Sequence, residues 1–166
     1  MTHTTIIGID PGIVHTGVVI LDLDPVARQM LEEHLVIEGD HHAKTAEEAL
    51  EALGYRQDQN VHTFIENYRE RGTAYATNPQ MRKLVQRFEE QFPQAKLVDN
   101  TGSKHVVKPH LLRLLGLDVF PTTHHQDLQA AARILVFGAL KDALLNQLLS
   151  QVVRDHLDGQ TWTVIH

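Results

Sequence analysis

The stretch Ile6-Ile7-Gly8-Ile9-Asp10-Pro11-Gly12-Ile13-Val14-His15-Thr16-Gly17-Val18-Val19-Ile20 constrains the fold more than any other part of the chain. β-Branched residues stand on both sides of a Pro-Gly turn, the pattern of a β-hairpin, and Asp10 closes its first strand. A carboxylate on a sheet face among isoleucines costs free energy unless it is compensated. A cation compensates it where further carboxylates converge. From the turn alone a second reading stands beside this one, because Asp before Pro-Gly also serves simply to open a turn.

The apolar runs predict strands over Thr4 to Asp10, Thr16 to Leu23 and His34 to Glu38, an antiparallel meander interrupted by a loop or helical turn after Asp24-Pro25. Thr45-Ala46-Glu47-Glu48 has the spacing of a capping box, so a helix is expected from Thr45 to about Gly54. Val61 to Glu66 then alternates like a strand and, like the first, ends in a carboxylate. Were these two strands parallel neighbours, Asp10 and Glu66 would share one edge of the sheet, where open α/β sheets bind ligands. Taken by itself, Glu66 reads as an exposed strand end.

Between Asn67 and Asn78 the chain turns polar, with Tyr68, Arg69, Arg71 and Tyr75 around Gly72. A basic loop bearing aromatic faces suits phosphates and unstacked bases, although Tyr and Arg are also ordinary surface residues. Pro79 opens a helix through Met81, Leu84, Val85 and Phe88 that Pro93 stops, and Ala95 to Val98 is expected as the fifth strand. Lys104, Lys108 and Arg113 form the densest basic segment free of acids, leading into a helix from Pro109 to Leu115. Both a phosphate contact and a plain solvated helix start fit it.

Pro121 to Leu128 opens the longest helical pattern, and from Leu128 to Leu140 its one charged residue is Arg133, so this helix is buried on more than one side. His124 and Asp127, three apart, share a face of its first turn, where main-chain amides favour an ionised carboxylate. Thr161 to Ile165 alternates like a strand whose place the pattern leaves open.

The 166 residues suit one domain spanning 1–166. Without cysteine, any metal must be held by carboxylate, imidazole or carbonyl groups. No apolar stretch reaches membrane-spanning length without a charge and the N-terminus lacks a signal-peptide pattern, so a cytoplasmic protein is expected. A net charge of −6 argues against a surface that binds nucleic acid everywhere, but local patches suffice, and protonating all twelve histidines would carry the sum to +6.

Asp10, Glu66, His124 and Asp127 come from three separated parts of the chain. Hard oxygen ligands of this kind suit Mg2+ or Mn2+, with the imidazole favouring Mn2+ or a role as base. Two such ions about 4 Å apart activate a water and stabilise the leaving oxygen of a phosphodiester.

Gly-Ile-Asp-Pro-Gly followed by Thr-Gly, a Glu ending the fourth strand and His-x-x-Asp opening the last long helix resemble, in this order, the RuvC-type Holliday junction resolvases. The resemblance spans nearly the whole chain. It implies an α/β, RNase H-like fold with a mixed five-stranded sheet, order 3-2-1-4-5, helices on both faces, and a homodimer. It also implies that Asp10, Glu66 and Asp127 are the metal-binding acids, and that His124 stands at a fourth position where relatives carry an acid or His. Where bacterial RuvC enzymes have an aromatic wedge this chain has Arg69, after Tyr68, and it is acidic where they tend to be basic. Divergent bacteriophage relatives, which cut flaps and forks as well as four-way junctions, are the better match. The expected activity is therefore metal-dependent cleavage of branched DNA, in the host cytoplasm if phage-encoded. Two alternatives stand beside it: an RNase H-like nuclease acting on RNA or RNA–DNA hybrid, and a non-catalytic DNA-binding module of the same fold.

Overall fold

The computed structural model describes residues 3–39, 41–56, 60–67 and 79–166. Strands β1 (Thr4–Asp10), β2 (His15–Asp24) and β3 (Gln29–Glu38) form the antiparallel meander. After helix α1 (His42–Ala52), strand β4 (Val61–Glu66) returns parallel to β1. Helix α2 (Pro79–Gln91) leads to β5 (Lys96–Val98), parallel to β4. Short helices α3 (Ser103–Val106) and α4 (Pro109–Leu114) precede the long α5 (His125–Lys141) and α6 (Ala143–Leu157), and β6 (Thr163–Ile165) closes the chain.

The sheet order is β5-β4-β1-β2-β3-β6. This is the expected order 3-2-1-4-5 with one strand more: the alternating C-terminal segment pairs in parallel with the start of β3, making six strands instead of five. Two further expectations are corrected. The third strand begins at Gln29, not His34, because Asp24 Oδ1 accepts from the N–H groups of Val26 and Ala27, both at 3.0 Å, and the chain turns at once. Helix α1 begins at His42, not after Thr45. The Thr45 N–H already donates to the His41 carbonyl at 2.9 Å, so Thr45 lies inside the helix and no side chain caps it.

Alternation along the strands divides the core between the two faces of the sheet. Ile6, Val19, Leu21 and Phe64 pack against Leu128, Ala131, Ala132 and Leu135 of α5. On the other face Ile7, Ile9, Val18, Ile20 and Ile65 meet Ala46 and Leu50 of α1 and Leu84 and Phe88 of α2. Each large aliphatic side chain buried this way contributes about 1.5–3 kcal/mol, so the apolar stretch of α5 clamps that helix to the sheet.

Helix α5 approaches the strands closely because two glycines lie beneath it. A Cβ on Gly8 would collide with the Ala131 carbonyl and stand 2.7 Å from Leu135 Cβ. A Cβ on Gly17 would stand 2.5 Å from the Asp127 carbonyl oxygen. Among the described residues no helix is long and apolar enough to cross a membrane.

Candidate metal and nucleic-acid site

Strand parity decides which way each acid points. Gly8 faces α5, so Asp10, two residues on, faces it too, as does Gly17, its partner across the antiparallel pair. On β4, Phe64 packs on the α5 side, and Glu66 follows with the same parity. The parallel register of β1 and β4 runs through Ile9 opposite Ile65, so Asp10 and Glu66 occupy its next step, on strands about 4.8 Å apart. Asp127, in the first turn of α5, stands over Gly17. Three carboxylates predicted from separate parts of the chain therefore lie on one face, at one end, of the sheet.

The surroundings of these acids are built, not incidental. Asp10 is 8% exposed and Glu66 3%, while Asp127 is half-buried. The side-chain amide of Asn100 donates to Glu66 Oε1, brought there by the pairing of Glu66 with Val98 at the end of β5. After Asp10 the turn is pinned from the opposite face: the Gly12 N–H donates to Thr16 Oγ1 at 3.2 Å, and that buried hydroxyl lies 2.9 Å from Nδ1 of buried His42. The donors are all carboxylate oxygens, the class a hard divalent cation takes, but the three acids do not lie within 4.8 Å of one another, so an ion would have to draw them in.

His124 is the residue before the first turn of α5, and its Nδ1 lies 3.8 Å from Asp127 Oδ2. The anticipated pair thus shares one face. The same imidazole also belongs to a group that the sequence reading missed. Nε2 of His15 lies 3.0 Å, and Nε2 of His124 3.8 Å, from the same oxygen of Glu38, and the two rings are 4.4 Å apart between centroids. His15 and Glu38 are paired across β2 and β3 with the parity of Gly17, so they sit on the α5 face, beside the carboxylates. One signal could have found Glu38. It ends β3, which runs parallel to β1, as Asp10 ends β1 and Glu66 ends β4.

The residues expected to hold nucleic acid are spread out. Tyr68, Arg69, Arg71 and Tyr75 lie outside the described residues. Lys104 and Lys108 are exposed at α3 and at the start of α4, just beyond Asn100. Arg113 is set apart from the carboxylates: it lines a cavity with His110, Val152, His156 and Trp162, next to β6. That strand pairs with Gln29 to Leu31, at the far end of β3 from Glu38.

No protein-family model and no curated protein matches the chain. Among solved structures it is similar to Thermus thermophilus RuvC in complex with a Holliday junction substrate, at 15% identity and a TM-score of 0.54, over 80% of this chain and 91% of that one. It is also similar to a second Thermus thermophilus RuvC structure, at 18% identity and a TM-score of 0.52, over 80% of this chain and 92% of the other. At such identities the likeness is one of fold: the chain has an RNase H-like fold.

Proposed function

We propose that this chain is a divalent-metal-dependent endonuclease that hydrolyses phosphodiester bonds in branched DNA: Holliday junctions, flaps and replication forks. The observation that carries the reading is the placement of Asp10, Glu66 and Asp127 on one face of the sheet, at the end of β1 and β4. That the solved structures of similar fold include RuvC with a Holliday junction substrate supports the choice of substrate.

Asp10, Glu66 and Asp127 would hold Mg2+ or Mn2+, which when bound would supply Lewis acidity and activate a water for hydrolysis of the phosphodiester. The chain's own groups do the rest. The Asn100 amide holds the Glu66 carboxylate by one oxygen. Gly17 admits the backbone of Asp127 close to the sheet, so a helix residue completes a site begun by two strands. His124, with Nδ1 3.8 Å from Asp127 Oδ2, is the imidazole beside the acids that would act as proton acceptor.

Lys104 and Lys108 contact backbone phosphates, joined by Arg69 and Arg71, while Tyr68 or Tyr75 stacks on an unpaired base at the branch. As a homodimer, the chain would address opposite strands of a junction with two such sites.

The test is cleavage of synthetic junction, flap, plain duplex and RNA–DNA hybrid substrates with Mg2+ and with Mn2+, by the wild type and by Asp10→Asn. Cutting of branched DNA by the wild type, with binding but no cutting by the variant, is the expected result. Cutting confined to hybrid would replace the substrate with RNA, and binding without cutting by the wild type would make the chain a recognition module.

A further inference from the structure

We propose that His15, Glu38 and His124 form a second metal site, separate from the three carboxylates and selective for a borderline transition-metal ion of the Zn2+ class. The donor set is two imidazoles and one carboxylate. Two imidazole Nε2 atoms converge on one carboxylate oxygen, at 3.0 and 3.8 Å, and the three ligand atoms all lie within 4.8 Å of one another. Ligands about 2.0–2.2 Å from a tetrahedral zinc stand roughly 3.3 Å from each other, so small side-chain rotations close this group around an ion. Imidazole favours Zn2+ and its neighbours over Mg2+, and the carboxylate site with its oxygen donors has the opposite preference.

Two further features separate this group from a chance surface cluster. The ring nitrogen of His124 that faces away from Glu38 lies 3.8 Å from Asp127 Oδ2, beyond hydrogen-bond distance but placed so that a small rotation would give the outer carboxylate that metal-bound histidines characteristically have. Among the described residues, the ion-pairing partners of Glu38 are both imidazoles, with no Lys or Arg bridging it, so no fixed cation takes the place of a metal. The ligands also have rigid supports: His15 and Glu38 are a register pair at the ends of β2 and β3, and His124 precedes the first turn of α5.

Neutral imidazole has one N–H and one lone pair. When Nε2 of His124 is given to the ion at His15 and Glu38, Nδ1 carries the proton towards Asp127, and the ring has nothing left to offer the carboxylate site. The two sites therefore compete for one residue. Binding at the second site stands whether or not the chain cuts DNA.

The test is calorimetric titration of the metal-stripped full chain with ZnCl2 in excess Mg2+, so that the carboxylates are occupied, with a parallel Co2+ titration followed by visible absorption to read the ligand field. The wild type should bind Zn2+, His15→Ala and Glu38→Gln should each weaken it by at least about tenfold, and Asp10→Asn should bind at least as tightly as the wild type. Glu38 is exposed and its amide preserves volume, so that variant keeps the fold if His15→Ala does not. Wild-type affinity in both His15→Ala and Glu38→Gln, or a loss in Asp10→Asn as large as theirs, would overturn the proposal and assign the ion to other groups.

Discussion

Gly17 lies directly beneath Asp127: a Cβ on the glycine would stand 2.5 Å from the Asp127 carbonyl oxygen and 2.9 Å from its carbonyl carbon. The obstacle is backbone, which cannot rotate aside, so Gly17→Ala must lift the first turn of α5 from the sheet. Overpacking of this kind costs about 1–3 kcal/mol, measurable by urea unfolding. Because the displaced turn carries Asp127, divalent-metal affinity should fall as well. A Gly17→Ala protein with unchanged stability and metal binding would show that α5 does not depend on this approach.

The carboxylate site should reveal itself in thermal unfolding. A ligand that binds only the folded state at about 100 times its Kd adds roughly 2.7 kcal/mol. Mn2+ should therefore raise the melting temperature of the wild type, and Asp10→Asn should lose most of that increment. Equal increments in the two proteins would place the ion elsewhere.

Asp142 separates α5 from α6 and caps the second of them, accepting from the Leu144 and Leu145 N–H groups at 3.1 and 3.2 Å. Burial pushes its carboxyl up, but the Leu145 N–H, the Lys96 ammonium and the Leu144 N–H together outweigh this and hold it below the ordinary value of 3.8. A depressed folded pKa means that the stabilisation is present above the unfolded value and lost as pH falls through the folded one. Asp142→Ala should cost about 1 kcal/mol at neutral pH. The gap between variant and wild type should narrow in acid below 3.8, and a gap independent of pH would remove the charge from the account.

Trp162, the single tryptophan, is 5% exposed, and its indole N–H donates to Asp155 Oδ2 at 2.9 Å. The same oxygen accepts from Arg28 Nε at 3.3 Å, and the Arg28 carbonyl accepts from the Thr163 N–H. Tryptophan emission should therefore report the docking of β6. Trp162→Ala should cost about 3–5 kcal/mol. Asp155→Ala should shift the emission to the red, whereas unchanged emission would mean that packing alone holds the indole.

DNA binding should weaken with salt less steeply in Lys104→Ala and Lys108→Ala, by about 0.9 in logarithmic slope for each lost phosphate contact. Arg113→Ala, beside Trp162 and away from the carboxylates, should change the slope less. A larger effect from Arg113 than from either lysine would move the DNA path towards β6.

Much of this arrangement was legible because strand ends and helix starts leave local marks. The Pro-Gly turn fixed Asp10 at the end of β1, the alternation of Val61 to Glu66 placed the second acid, and the apolar stretch after Asp127 identified the buried helix. The capping-box spacing at Thr45 misled because Thr and Glu at that spacing also occur within a helix. There Glu48 faces Lys44 at 3.9 Å instead of reaching back to a cap. The start of β3 was hidden because Gln29, Glu32 and Glu33 flank the apolar Met30 and Leu31, which nonetheless pair with β2. His15 and Glu38 lie 23 positions apart, and only the β2–β3 register, a non-local fact, brings them together.

The sheet ends on both sides in strands of three residues, β5 and β6, while the long strands are all interior. β6 covers only Gln29 to Leu31, so among the described residues the outer edge of β3 from Glu32 to Glu38 has no strand beside it, and the charges of Glu32, Glu33 and Glu38 blunt that edge against edge-to-edge pairing.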